Sequence, residues 1–300
     1  MEADVYAGQR QIELVSVIVP TRNGALTLGE QLAALSAQAT THSFEVVVVD
    51  NGSTDATPTI AREWVNADGR FRLIDAGEEA GINFARNRGA IASKGDLVLF
   101  CDSDDVVDQY WVEEMAHAAR HADLIGGSLN IKEINRPEVQ QMRPAAQPPN
   151  ELPVALGFMS YATGANLGVW RPAADAVGWF DESFRSTGDD IDFSWRLQLA
   201  GYRLSFAPNA VVHYRLREEL KATLVQAYRY GQGDVALFRK FRGDGVARGT
   251  FTGSLKSLVW LALDGLRDLP SRQRRPAWLW RASHLLGRYR GCLRYRVLLL

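Results

Sequence analysis

Residues 14–24 read Leu14-Val-Ser-Val-Ile-Val-Pro-Thr-Arg-Asn-Gly24, and this stretch decides the fold. Its first six positions form a nearly continuous apolar run with β-branched side chains, the composition of a strand buried on both faces. Pro20 to Gly24 end it in a polar turn. Working outward, Leu26, Leu28, Leu32 and Leu35 recur at roughly helical spacing. Phe44-Glu-Val-Val-Val-Val49 repeats the strand pattern and closes in Asp50-Asn-Gly-Ser-Thr-Asp55. A helix from about Thr57 carries Pro58 in its first turn. A third strand over 71–74, a helix over 83–92 and a fourth strand over 96–101 continue the series. Strands and helices in alternation, with the strands apolar throughout, predict an α/β fold: a mostly parallel sheet flanked by helices. Ligands of such sheets bind beyond the carboxyl ends of the strands. Those ends carry Pro20-Thr-Arg-Asn23, Asp50-Asn-Gly52 and Asp102-Ser-Asp-Asp105. Each alone suits an ordinary turn, but three on one edge predict a site.

The 300 residues are 46% hydrophobic and 23% charged, which excludes a disordered chain, a collagen-like fibre and a small disulfide scaffold. Cys101 and Cys292 stand nearly the whole chain apart, so a disulfide framework is not expected and a reducing compartment is. Met1 to Gln11 is polar, with Glu2 and Asp4, unlike a signal peptide. The longest apolar run, 258–263, falls far short of the roughly 18 residues that span a bilayer. The expectation is a cytoplasmic protein. Its net charge of −1 hides an asymmetry: residues 218–300 hold 16 Lys and Arg against 6 Asp and Glu, and 1–217 hold 18 against 29. Such a division predicts two tasks in one chain. Residues 136–153, with five prolines and three glutamines, read as a loop or junction. An ordered block follows to about Tyr214, then amphipathic helices over 218–242 and 250–269.

The sharpest chemical signal is Phe100-Cys-Asp-Ser-Asp-Asp105. In extended chain, residues two apart face the same way, so Asp102 and Asp104 can present their carboxylates together. Hard oxygen ligands of this kind suit Mg2+ or Mn2+ bridging a substrate's phosphates; the alternative is a loop cap bonding backbone amides. Further along stand Thr163-Gly-Ala-Asn-Leu-Gly-Val-Trp-Arg171, Val177-Gly-Trp-Phe-Asp-Glu182 and Gly188-Asp-Asp-Ile-Asp-Phe-Ser-Trp-Arg196. The last heads a helix, where carboxylates are also favoured simply as caps. Together with Val-Ile-Val-Pro-Thr-Arg-Asn, Val-Val-Asp-Asn-Gly-Ser-Thr-Asp and Ala85-Arg-Asn-Arg-Gly89, these motifs follow in the order of the family 2 (GT-A fold) inverting glycosyltransferases, which the chain resembles over about residues 14–215.

The resemblance implies a GT-A domain over 12–215, its nucleotide-binding part over 12–131 and its acceptor and catalytic part over 155–215, followed by a helical, basic extension over 216–300. It implies that Pro20, Thr21, Asn23, Asp50 and Asn51 hold the nucleotide, with Asp50 at the base's N–H edge and Arg86 nearby. Asp102, Ser103 and Asp104 match the metal-binding D-x-D, Asp102 closer to the ribose and Asp104 to a Mn2+ or Mg2+ ion. His213 matches a histidine that approaches metal or diphosphate in many relatives, a structural role being the alternative. Asp189-Asp190 matches a Glu-Asp pair whose second member is usually the general base, so Asp190 is expected to act and Asp189 stands second. Thr163, Gly164 and Asn166 lie where relatives shape the sugar and acceptor pocket, with Trp179 and Phe180 as a candidate wall; a buried core role is their alternative. The implied reaction is inverting transfer from a nucleoside diphosphate-sugar, UDP favoured, to an acceptor hydroxyl. A nucleotidyltransferase or a Rossmann dehydrogenase wants a Gly-rich loop after the first strand, which Pro20 to Ala25 does not supply. A non-catalytic nucleotide-sugar-binding or membrane-surface scaffold would have no chemical need for Asp102, Asp104 and Asp190 together.

From Ser271 onward there are eight arginines and no acid. Trp278, Ala282, Leu285, Tyr289, Leu293, Val297 and Leu300 give one apolar helical face, with Arg274, Arg281 and Arg288 repeating every seven. Three readings compete: a helix lying on an anionic membrane surface, one packed on the domain, and a nucleic-acid patch. The first is favoured, nucleic acid is not expected, and the protein is placed peripherally at the inner face of the cell membrane, where a lipid-linked acceptor would be met.

Overall fold

The computed structural model describes residues 10–299 except 145, 146, 149, 185, 186, 249 and 250, with the backbone alone for 251–255. The readings on residues 1–9 and on Leu300 lie outside the described residues. The first half follows the sequence pattern: β1 (Val15–Thr21), α1 (Leu28–Ser36), β2 (Phe44–Asp50), α2 (Thr57–Ala67), β3 (Phe71–Asp75), α3 (Ile82–Ala92) and β4 (Leu97–Cys101). All of β1 and β4 is buried, as strands covered by helices on both faces must be. β2 pairs in parallel with β1 and β3, and β1 with β4. Helix α3 lies flush on this sheet because Gly89 has no side chain. A Cβ there would come within 2.7 Å of Val49 Cγ2 and also meet Ile18. That close seat carries Arg86, one turn earlier on α3, to the sheet's carboxyl edge.

The second half contains β5 (Val106–Val107), α4 (Trp111–Ala119), β6 (Leu124–Asn130), the single turn α5 (Pro137–Gln140), a small hairpin of β7 (Val154–Ala155) and β8 (Met159–Ser160), β9 (Asn166–Trp170), α6 (Arg171–Val177), α7 (Asp189–Leu199) and β10 (Leu204–His213). The eight-stranded sheet runs β3-β2-β1-β4-β9-β6-β10-β5. β9 is antiparallel to both neighbours, β4 and β6, and closes the gap between them. β10 returns in parallel to β6, with a register shift between Ala207 and Val211.

Three helices end the chain: α8 (Leu220–Phe241), α9 (Phe251–Asp268) and α10 (Arg275–Tyr295). α10 lies along α8 because glycine stands at the crossing. A Cβ on Gly231 would meet the carbonyl of His284, and one on Gly287 the carbonyl of Tyr228. The stripe expected to lie on a membrane, Trp278, Ala282, Leu285, Tyr289 and Leu293, is on the other side of α10 from Gly287: Trp278 packs on α9, and Leu293 is 74% exposed. A second core gathers Phe184 and Trp195 with Val235, Phe238, Phe241 and Leu299, so α7, α8 and the chain end share buried surface. Trp195 stands between Phe158 and Phe241, ring centroids 5.1 and 5.2 Å away. Cys101 and Cys292 are both free thiols. Among the described residues no helix is long and apolar enough to cross a membrane.

Candidate active site

The carboxyl ends of β1, β2 and β4 and the head of α7 open into one cavity of about 1140 Å³. Two loops are stitched together to form its nucleotide side. The Asn23 amide donates to Ser53 Oγ and the Thr54 amide to Asn23 Oδ1. Asn51 Nδ2 donates to the carbonyls of Ala76 and Glu79, while its Oδ1 accepts from the Gly81 amide. Asn51 thus ties the end of β2 to the loop before α3. Pro20, Thr21, Asn23 and Asn51 line the cavity. Asp50 stands beside it, its Oδ1 accepting from the Ser53 amide.

Asp102, Ser103 and Asp104 also line the cavity, and here the geometry differs from an extended strand. β4 ends at Cys101, and residues 103–105 form a turn. The turn brings in a third carboxylate that the alternation argument missed: oxygens of Asp102, Asp104 and Asp105 all lie within 4.8 Å of one another. Asp105 is 1% exposed; its Oδ1 accepts from the Arg215 amide and its Oδ2 has no partner. Burial, followed by Asp102 and Asp104, pushes Asp105 well above the usual carboxylate range. Asp104 is pushed up to about 6 by enclosure in the cavity and by Asp102, although its edge stays open to solvent. Three crowded oxygen ligands, one of them orphaned, fit a hard divalent cation such as Mn2+ or Mg2+. His213 is not part of this cluster. It ends β10 opposite Val106, with Nε2 4.0 Å from Asp108 Oδ2.

Arg86 joins this corner to the acidic pair. It is 4% exposed, with Nη1 2.5 Å from Asp189 Oδ2 and Nη2 3.2 Å from Asp102 Oδ1. Its guanidinium also lies 5.2 Å from the Phe180 ring centroid. Gly164 makes room for it, since a Cβ there would sit 2.7 Å from Arg86 Nη2. The Gly164 amide donates to Asp190 Oδ2 at 3.0 Å, and the Ile191 amide to Asp190 Oδ1. Gly188, at φ 85°, turns the chain into α7, so Asp189 and Asp190 are the first helical residues and not its cap. Burial and then the neighbouring Asp189 push Asp190 up to about 6. Burial raises Asp189 too, opposed by Arg86, whose own charge is held by the surrounding carboxylates.

Thr163, Gly164, Asp189 and Asp190 line the cavity; Asn166, Trp179 and Phe180 do not. Asn166 is fully buried, with Nδ2 donating to the Ser128 and Ala210 carbonyls and Oδ1 accepting from Trp111 Nε1. It ties β9 to its neighbour β6 and to β10 beyond. Trp179 packs edge-on to Phe100 at 6.5 Å and donates to Asp175, so it belongs to the core, as does Phe180, stacked on Phe193. The opposite wall is one the sequence reading did not name. Tyr161, Tyr214 and Tyr230 stand there with Arg217, whose charge acts on Asp104, and with Lys221 and Arg229, which form no ion pair among the described residues. Lys221 and Arg229 are two helical turns apart on α8.

Known proteins resemble this chain in sequence and fold. The model of glycosyl transferase family 2 matches residues 16–176, and that of glycosyl transferase family group 2 matches 97–289. Glycosyltransferase AglE of Haloferax volcanii is 29% identical over 76% of this chain and 75% of its own length. The pre-mycofactocin glycosyltransferase of Mycobacterium tuberculosis is 30% identical over 72% of this chain but only 46% of its own. Among solved structures, the mannosyltransferase PcManGT from Pyrobaculum calidifontis, in complex with GDP-Man and Mn2+, superposes with a TM-score of 0.67 at 18% identity, covering 94% of this chain and 87% of that one. S. aureus TarS 1-349 in complex with UDP-GlcNAc gives 0.54 at 21% identity, covering 94% and 91%.

Proposed function

The chain belongs to glycosyl transferase family 2 and is a glycosyltransferase of the GT-A fold, and from that premise we propose that it moves a sugar from a nucleoside diphosphate-sugar to an acceptor hydroxyl with inversion at the anomeric carbon. UDP is the favoured donor nucleotide. The observation that carries the proposal is Arg86. One buried guanidinium grips Asp102 of the carboxylate cluster and Asp189 beside Asp190, so two acidic motifs distant in sequence are held next to one another in one cavity.

In this mechanism Pro20, Thr21, Asn23 and Asn51 shape the nucleotide's seat, and Asp50 takes the base's N–H edge. Asp102, Asp104 and Asp105 would hold a Mn2+ or Mg2+ ion, which when bound offsets the negative charge gathering on the departing diphosphate. Asp190 removes the proton from the attacking hydroxyl. Two backbone amides fix its carboxylate, and a pKa of about 6 leaves it ionised at neutral pH yet more basic than an exposed aspartate. Residues 12–215 form the catalytic domain in this reading, and 216–300 add the wall that faces the acceptor. Arg217, Lys221 and Arg229 suit a phosphate on that acceptor, which supports a lipid-linked substrate at the inner face of the cell membrane. The deciding experiment supplies donor sugars and a phosphate-bearing lipid acceptor to wild type and Asp190→Asn. The proposal expects product of inverted anomeric configuration by NMR from wild type and none above background from the variant; equal turnover by both would overturn it.

A further inference from the structure

Helix α9 is amphipathic, but it is mounted with its polar side inward. Leu261, Asp264, Gly265 and Asp268 share one face by their three- and four-residue spacing, and that face meets α10. Asp264 and Asp268 both pair with Arg281 at 2.9 Å, Trp278 Nε1 donates to the Leu261 carbonyl at 2.8 Å, and Gly265 lies against the Trp278 ring. The opposite face, Val259, Ala262, Leu263 and Leu266, points to solvent, with Trp260 at its edge. Leu266 is 79% exposed and Trp260 65%, values that a core-facing stripe never has.

We propose that this face of α9 docks on an anionic lipid bilayer, the helix lying in the headgroup plane. Charge selects that occupant over a second copy of the chain. Residues 256–300 hold ten Lys and Arg against two Asp, and both aspartates are already engaged by Arg281. Two such ends brought face to face would repel, whereas acidic headgroups complement them. Lys256, Arg267, Arg272, Arg274 and Arg275 are all exposed on or beside the helix. A tryptophan at the border of a leucine face is the composition of a helix that lies on a membrane and does not span it. The surface is separate from the cavity and the inference does not rest on the catalytic reading.

The test is co-sedimentation of the full chain with vesicles of phosphatidylcholine containing about 30% phosphatidylglycerol. Wild type is expected to pellet with them and to stay in solution with pure phosphatidylcholine. Leu263→Glu/Leu266→Glu should weaken partitioning at least about tenfold, because each change places a charge where acyl chains must sit. Ile91→Glu, at an exposed apolar position on α3, should leave it unchanged, and so should Asp190→Asn, which disables only the proposed chemistry. Both positions on α9 are exposed, so an unchanged melting temperature shows that the double variant is folded. Partitioning that survives in the folded double variant overturns the proposal, as does failure of wild type to bind anionic vesicles. A wild-type dimer in solution that the same double substitution dissolves would replace the bilayer with a second copy.

Discussion

At the scale of single residues, Asp190 carries the clearest consequences. A general base works ionised, so a pKa of about 6 predicts that kcat/KM rises with pH through about 6 and then levels. A rate flat across that range would remove Asp190 from the role. Asp190→Asn should cost at least about 100-fold in transfer. The same shift acts on stability with a definite sign. The folded state holds this proton more tightly than the unfolded chain does, so its contribution is greatest below the ordinary carboxylate range. That contribution is lost as pH climbs through about 6. Asparagine, neutral throughout, should therefore raise the melting temperature at neutral pH while abolishing activity, a trade common at active sites. Gly164→Ala should also lose activity, since its Cβ intrudes on Arg86 and the amide that aims Asp190 must move with it. Motif order singled out Asp190 and the D-x-D in the sequence, and all three aspartates line the cavity. Asp105 was not legible, because its place in the cluster comes from a turn and not from strand alternation. Nor was the bridging role of Arg86, since nothing in a local motif says which two carboxylates a buried guanidinium will meet.

At the scale of elements, β1 to β4 and their helices were readable because each is specified by side chains within a few residues. β9 was not: nothing in Asn166-Leu-Gly-Val-Trp170 distinguishes it from a parallel strand, and only tertiary pairing makes it antiparallel to both neighbours. The terminal helices teach the same lesson in another form. Periodicity shows that a helix has two faces but not which one turns inward. The sequence reading set the Trp278–Leu293 face of α10 toward lipid, which is the side away from α8, and did not weigh the outward face of α9. Glycine decides the packing of α10, so Gly287→Val should push it off Tyr228 and destabilise the fold by about 1–3 kcal/mol. Urea midpoints would show this, and an unchanged midpoint would mean that α8 and α10 are not so closely joined in solution.

At the scale of the molecule, donor, ion and protein should bind as a linked system. UDP with Mn2+ at about 100 times its dissociation constant should stabilise the fold by about 2.7 kcal/mol, seen as a higher melting temperature. Asp102→Asn or Asp105→Asn should erase the part of the shift that depends on Mn2+ while leaving the part due to nucleotide alone. A full Mn2+-dependent shift in both variants would move the ion elsewhere.

The place of β9 also has a consequence for how the chain is made. While the protein emerges from the ribosome, β1 to β4 can assemble early, but the free edge of β4 waits for a partner synthesised much later. β6 waits for the same strand from its other side. Until residues 166–170 arrive, the nascent chain presents two open, apolar edges, the surfaces through which half-made sheets stick to one another. Translation that stalls before β9 should therefore yield an aggregating fragment and not a smaller folded unit, and chaperone demand should fall once that strand has slid between its neighbours and end when β10 covers the other edge of β6.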